Sequence, residues 1–303
     1  MSNVKLNGVS MKILITGGTG LIGRYFINAF HHLYQFTVLT RNNVKAQQDL
    51  PQETAFIDSL PDQNYFDVII NLAGEPIVNK RWSQTQKDII CQSRWEITEQ
   101  VVAMIGRSTI KPRSLISGSA IGYYGETGDT VTDEKAEVTQ PDFAHKLCKQ
   151  WEEMALQASE HCRVVLLRTG VVLANDGGAL DKMRLPFSLG LGGKLGHGQQ
   201  YMSWIHIDDM VQAIHFSLQK VNIEGAINCT SPQAITNEVF TNALGKQVKR
   251  PTWFGVPAFM LTILMGQGAE LLLTSQNIYP QKLLIHGFHF NYPDIEQALA
   301  DVV

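Results

Sequence analysis

The chain has 303 residues and 44% hydrophobic content, enough for one large α/β domain or a core domain with a smaller lobe. A formal charge of −3 without long charge runs suggests neither a nucleic-acid surface nor a polybasic membrane patch. Cys91, Cys148, Cys162 and Cys229 lack metal-ligand spacing and read as reduced thiols, so a cytoplasmic protein without a metal site is expected. Met1 to Ser10 is polar, lacks the pattern of a signal peptide, and is set apart as a flexible segment, residues 1–10. The most membrane-like run, Val256 to Met265, contains Pro257 and is far short of the roughly 20 apolar residues that span a bilayer.

The chain is organised around Lys12-Ile-Leu-Ile-Thr-Gly-Gly-Thr-Gly-Leu-Ile-Gly23. An apolar β-type run enters a glycine-rich turn, and an apolar helical pattern follows through Leu21, Ile22, Phe26, Ile27 and Phe30. That is the strand–turn–helix context of a dinucleotide fingerprint. Gly17 permits the tight turn, Gly20 lets backbone N–H groups near a pyrophosphate, and Gly23 lets the helix pack closely. The helix start, with Thr19, Leu21 and Ile22 around it, offers free N–H donors and a positive dipole end.

Phe36-Thr-Val-Leu-Thr40 reads as the second parallel strand and ends at Arg41. An acid at that place marks NAD, and a base suits the 2′-phosphate of NADP. Thr40 and Arg41 therefore point to NADP(H). Phe66 to Gly74 is a continuous apolar strand suited to a central position buried on both faces. Its small-residue turn places Leu72, Ala73 and Gly74 beside the cofactor, followed by a loop with Glu75, Asn79, Lys80, Arg81 and Trp82. A helix is expected over about Ser83 to Ile105, and further strands over Ser114–Ser119 and Arg163–Leu173.

The glycines between Gly190 and Gly198 suit a lid over a substrate site, or a second phosphate-cradling loop. Tyr201 to Asp209 alternates like a strand and leads into a helix that Asp208 or Asp209 is expected to cap. His206 reads either as a proton donor or, more simply, as a hydrogen-bonded strand residue. Gly225 to Thr230 reads as a strand, and a helix begins at Thr236. Phe259 to Leu273 reads as a buried helix of the small lobe or as the contact helix of a homodimer.

Thr16-Gly-Gly-Thr-Gly-Leu-Ile-Gly23 resembles the cofactor motif of extended short-chain dehydrogenases/reductases, the group that includes nucleotide-sugar epimerases. Asn71-Leu-Ala-Gly-Glu-Pro-Ile77, Ser119-Ala-Ile-Gly-Tyr-Tyr-Gly125, Ser203-Trp-Ile-His-Ile-Asp-Asp209, Pro280-Gln-Lys-Leu-Leu and Gly287-Phe-His-Phe-Asn-Tyr-Pro293 narrow this. Together they resemble an atypical epimerase-like branch with an extra C-terminal domain and a poorly defined substrate. The resemblance runs from Met11 to the C-terminus. It implies a Rossmann-type doubly wound parallel sheet over mainly 11–172, and a substrate lobe over mainly 173–303. Residues of about 200–232 return to the core domain.

By this resemblance Arg94 approaches the cofactor, Val171 and Val172 pack near the nicotinamide, and Ser119 is the catalytic strand-end hydroxyl, with Ser117 its neighbour. The chain departs from the family's Tyr-x-x-x-Lys pair. Aligning Asp142-Phe-Ala-His-Lys-Leu-Cys-Lys-Gln-Trp-Glu152 places Ala144 and Cys148 at those positions. Tyr123 or Tyr124 is then the substitute phenol. The expected function is NADP(H)-dependent epimerase-like oxidoreduction of a small polar or nucleotide-linked substrate. The competing readings are a non-catalytic NADP(H) sensor and a conventional nucleotide-sugar epimerase.

Overall fold

Strands that are apolar along their whole length need cover on both faces, which parallel βα units supply. The computed structural model describes residues 10–77, 80–138 and 140–303. Its main sheet contains β1 (Met11–Thr16), β2 (Tyr34–Leu39), β3 (Ala55–Ile57), β4 (Val68–Asn71), β5 (Ser114–Ala120) and β6 (Arg163–Thr169). After short β7 (Val171–Leu173), β8 (Tyr201–Met202) and β9 (Trp204–His206), β10 (Gly225–Cys229) completes it, and β11 (Ile235–Thr236) lies outside. The seven strands run in the order β10-β6-β5-β4-β1-β2-β3, all parallel. This is the Rossmann-type arrangement, with the order reversing between β1 and β4.

The helices are α1 (Leu21–Phe30), α2 (Asn43–Asp49), α3 (Gln84–Arg107), α4 (Phe143–Leu156), α5 (Gly178–Ser188) and α6 (Ile207–Gln219). The C-terminal lobe adds α7 (Asn237–Gln247), α8 (Ala258–Met265), α9 (Glu270–Leu273), α10 (Gln281–Ile285) and α11 (Ile295–Val302). Side chains alternate across the sheet. Ile13 and Ile15 join Phe26 and Ile27 of α1 and Met210 and Ile214 of α6 in one core. Leu14 and Ile69 point the other way, to Val101, Met104 and Ile105 of α3. Each such buried aliphatic side chain contributes about 1.5–3 kcal/mol. The lobe has its own core, where Leu180, Phe187 and Trp204 meet Phe240, Leu244 and Leu299.

Three sequence expectations are corrected here. Neither Asp208 nor Asp209 caps α6: His206 does, its Nδ1 accepting the Asp208 N–H at 3.1 Å. Asp209 instead accepts the N–H groups of Asn291 and Tyr292, at 2.7 and 2.9 Å. The stretch from Phe259 to Leu273 is not one buried helix. It breaks at Gly266 between α8 and α9, and Leu261 is the buried residue of α8. The 190–198 segment is pinned rather than free. The Gly196 N–H donates to the Val256 carbonyl at 2.9 Å, and the Val256 N–H donates to the Lys194 carbonyl at 2.8 Å. A methyl on Gly193 would sit 1.2 Å from the Phe254 carbonyl oxygen, so this contact admits only glycine.

Candidate cofactor and catalytic site

Parallel pairing brings the carboxyl ends of β1, β4, β5 and β6 to one edge of the sheet, where a doubly wound fold binds ligands. Gly17 turns there at φ +70°, and a methyl on it would lie 2.6 Å from the Leu72 carbonyl carbon. The turn therefore passes directly over the end of β4. Gly20 differs. A methyl there would meet only the Gly17 oxygen, at 3.1 Å, and Thr19 and Gly20 are exposed. Gly20 is the N-cap of α1: its own N–H donates to the Gly17 carbonyl at 3.0 Å, and no side chain caps the N–H groups of the first helical turn. Gly23 packs against Gly17 and Gly18 too closely to bear a side chain. An uncapped helix start of this kind suits a phosphate.

The turn after β4 is locked from below. Thr16 Oγ1 donates to Asn71 Oδ1 at 2.6 Å, and Asn71 Nδ2 donates to Thr98 Oγ1 at 2.8 Å. Trp151 Nε1 donates to the same threonine oxygen at 2.9 Å. Arg94 is not a surface arginine. It is buried, and a methyl on Gly74 would lie 2.8 Å from its guanidinium carbon. Its donors reach the carbonyls of Ile90 (2.9 Å) and Glu75 (3.1 Å), and it forms no carboxylate ion pair among the described residues. Burial lowers its pKa, against the smaller opposing influence of Cys148, Cys91 and Glu75. Asn79, expected in the loop beyond, and residues 1–9 lie outside the described residues.

Arg41 follows β2 as an exposed side chain with no salt bridge among the described residues. Thr40 is half-buried, its Oγ1 accepting the Asn42 N–H at 3.2 Å. Leu21, Ile22, Leu72, Ala73, Val171 and Val172 are all half-buried at this edge. On the far side of α1's start, the loop 175–178 is clasped to the helix. Arg24 pairs with Asp176 at 2.7 Å, and Tyr25 donates to Asn175 and Asp176.

The ends of β5 and β6 hold a different construction. Ser119 Oγ donates to Glu152 Oε1 at 2.6 Å. Arg168 grips the same carboxylate twice, Nε to Oε1 at 2.9 Å and Nη2 to Oε2 at 2.8 Å. Its Nη1 donates to Tyr124 Oη at 2.9 Å, and Tyr124 donates to Asn228 Oδ1 at 2.7 Å. Ser119, Tyr124, Glu152, Arg168 and Asn228 are all buried. Burial pushes the Tyr124 phenol up to about 12, although Arg168 and Asn228 pull the other way. Burial alone would lower Arg168, but its hydrogen bonds and charge pairing with Glu152 and Tyr124 raise it.

The hydroxyls of Ser119 and Tyr124, both expected to be catalytic, are thus committed within a closed network. Tyr123 is half-buried, and the Arg168 guanidinium lies 3.5 Å from its ring centre. Its hydroxyl has no hydrogen-bond partner among the described residues. Cys148 and Ala144 face Gly122, where an added methyl would lie 3.7 and 3.0 Å from them. A cysteine has no cationic form and cannot supply the charge of the missing lysine, and burial pushes the Cys148 thiol up to about 12, which keeps it neutral. Sequence reasoning missed Glu152 and Arg168 as a pair. The available signal was one charge inside the apolar strand Val164–Thr169 and one on the buried face of α4.

His206 is buried and stacked on Tyr292, with ring centres 3.8 Å apart, and its Nε2 lies 3.2 Å from Asp301 Oδ2. His206, Asp208 and Asp301 approach closely enough to hold a cation. Because Nδ1 already accepts the Asp208 N–H, the neutral ring carries its proton on Nε2, where a metal would have to bind.

Residues 13–229 match the model of the NAD dependent epimerase/dehydratase family, and residues 256–302 match a domain of unknown function, DUF1731. The chain belongs to the epimerase/dehydratase family. A relative from Arabidopsis thaliana, the chloroplastic epimerase family protein SDR39U1 homolog, is 36% identical over 303 residues, spanning 97% of this chain and 87% of that protein. An epimerase family protein of Staphylococcus haemolyticus is also 36% identical, covering 96% of this chain and 99% of its own length. Among solved structures, the human epimerase family protein SDR39U1 with NADPH superposes with a TM-score of 0.88 at 29% identity, over 96% of this chain and 99% of that one. A UDP-galactose 4-epimerase at 15% identity and a TM-score of 0.74 shares the epimerase fold alone. No helix among the described residues is long and apolar enough to cross a membrane.

Proposed function

We propose that this family member is an NADP(H)-dependent epimerase-like oxidoreductase acting on a small polar or nucleotide-linked substrate. The observation that carries this is the uncapped start of α1 at Gly20, open to a phosphate, with Arg41 at the end of β2. The human SDR39U1 structure, which contains NADPH, supports the same cofactor. NADP(H), when bound, accepts or supplies a hydride. The chain's own part is to hold it. Gly17, Thr19, Gly20 and Gly23 with Leu21 and Ile22 cradle the pyrophosphate, Thr40 and Arg41 take the adenosine 2′-phosphate, and Leu72 to Gly74 form the floor. Arg94 lends positive potential from behind Gly74, and Val171 and Val172 border the nicotinamide.

For proton transfer the reading favours Tyr123, the phenol of the expected set left free, with Arg168 over its ring to favour developing negative charge. Ser119 and Tyr124 then position it. Four free cysteines suit a cytoplasmic setting. The commitment of Ser119 and Tyr124 within the network supports a second reading, a protein that binds NADP(H) without turnover.

Cofactor titration tests the first part. A charge-assisted hydrogen bond is worth about 1.5–3 kcal/mol, so Arg41→Ala should weaken NADPH about ten- to a hundredfold and leave NADH nearly unchanged. Equal native affinity for the two cofactors would remove the argument. Tyr123→Phe should lower any native turnover about a hundredfold or more at unchanged NADPH affinity. Tight NADPH binding with no turnover on a sugar, aldehyde and quinone panel would favour the second reading.

A further inference from the structure

The C-terminal lobe carries an apolar platform that the described chain leaves uncovered. Residues 246–269 contain no acid and three bases, Lys246, Lys249 and Arg250. Trp253 is 86% exposed and Phe254 62%. On α8, Phe259, Ile263 and Leu264 are about two-thirds exposed, and Met260 nearly half. Large apolar side chains exposed this densely along the chain mark an interaction surface.

The adjoining segment extends the pattern. Leu195 bridges Val256, and Arg250 Nε donates to the Ser188 carbonyl at 2.9 Å. Residues 182–195 also contain no acid, and they add exposed Leu185, Leu189 and Leu191. Lys182, Arg184 and Lys194 lie there, so the two segments together hold six bases and no acid in a chain of net charge −3. Lys194 and Lys246 are paired with Glu238 and Glu296. Lys182, Lys249 and Arg250 form no salt bridge among the described residues.

This charge pattern selects the occupant. A two-fold contact between copies sets each patch against itself and would bring like-charged, unpaired Lys249 and Arg250 of the two copies together. An anionic lipid surface answers both features. Exposed Trp and Phe settle at the headgroup level, apolar side chains enter the acyl boundary, and Lys and Arg pair with anionic headgroups. We propose that Trp253, Phe254 and α8, with the unpaired Lys249 and Arg250 just before them in the chain, dock this protein on anionic membrane surfaces. The platform's far end reaches the loop after the Leu72–Gly74 turn, where the Trp82 N–H donates to the Met265 carbonyl at 3.0 Å. Docking therefore sets Trp82 close to the lipid.

Sedimentation with phosphatidylcholine vesicles, with and without phosphatidylglycerol, tests this on the full chain. The protein should pellet with the anionic vesicles, and its tryptophan emission should shift to the blue. Trp253→Phe should keep the pelleting and lose most of the shift. Ile263→Glu with Leu264→Glu alters exposed side chains only, so the variant should melt like the native chain and stay in the supernatant. Lys249→Gln with Arg250→Gln should weaken anionic-vesicle binding about thirtyfold, from about fivefold for each base near the surface. Equal pelleting with both vesicle types would overturn the anionic assignment. Failure to pellet with either, together with a dimer in sedimentation equilibrium that Ile263→Glu dissociates, would assign the platform to a second copy.

Discussion

The two halves of the candidate site are built on opposite plans. The turn from Gly17 to Gly23 is made of backbone, and no side chain caps the N–H donors of the helix that follows it. The centre at Ser119, Glu152, Arg168 and Tyr124 is made of side chains whose donors and acceptors satisfy one another. The first half keeps its hydrogen-bonding capacity for a ligand. The second spends it on fixing β5, β6 and α4 relative to each other. Residue types alone do not separate the two, since a serine and a tyrosine near a sheet edge suit either plan.

Breaking the closed half should have the largest effect. Arg168→Met leaves the Glu152 carboxylate buried and unpaired, which costs about 3–5 kcal/mol. Urea unfolding measures this, and native-like stability would mean that water reaches Glu152. Replacing both partners with apolar residues should recover much of the loss.

Gly20→Val attacks the open half. Stability should change by about 1 kcal/mol or less, because the added Cβ meets only the Gly17 oxygen and the position is exposed. NADPH affinity should fall at least a hundredfold, because the methyls fill the phosphate's place. A variant with native affinity and native melting would put the phosphates elsewhere.

Ser119→Ala sharpens the contrast. A positioning role predicts a stability loss of about 1.5–3 kcal/mol, the value of a hydrogen bond to a charged group. A direct catalytic role predicts a fall in kcat of about two to three orders of magnitude at little cost in stability. Urea curves and steady-state rates on one preparation distinguish them.

The smallest effect is alkaline. The Tyr124 pKa rises from 10.0 in the unfolded chain to about 12 in the folded one. Between those values the unfolded chain has lost the proton and the folded chain retains it. Stability from this group is full below pH 10 and declines as pH rises toward 12. Tyr124→Phe should flatten that part of the profile. An unchanged slope would trace the alkaline loss to Tyr25, Tyr34 and Cys148, also pushed up to about 12, and to Cys162, pushed up to about 11.

The sheet was legible because its signals are local. Ile13 to Ile15 read as a buried strand, and Gly17, Gly20 and Gly23 marked the turn. Arg41 was readable as a charge at a known topological position. The Ser119–Glu152–Arg168 network was not, because its members come from β5, α4 and β6 and meet only after the sheet forms. The platform escaped for a related reason. A charge count along the chain cannot join 182–195 to 246–269, which pack together through Leu195 and Val256. For α8, apolar composition suggested burial, but composition does not state which faces receive neighbours.

Asn228 and Asp209 carry a consequence for synthesis on the ribosome. Asn228 Nδ2 donates to the Tyr279 carbonyl at 2.9 Å, and Asp209 waits for the N–H groups of Asn291 and Tyr292. Glu134 accepts the N–H groups of both Asn228 and Lys282. The nascent sheet thus emerges well before the residues that satisfy its buried polar edge. Until residues 279–292 clear the exit tunnel, β10 and the start of α6 hold those groups toward water, and this later segment closes the domain that formed before it.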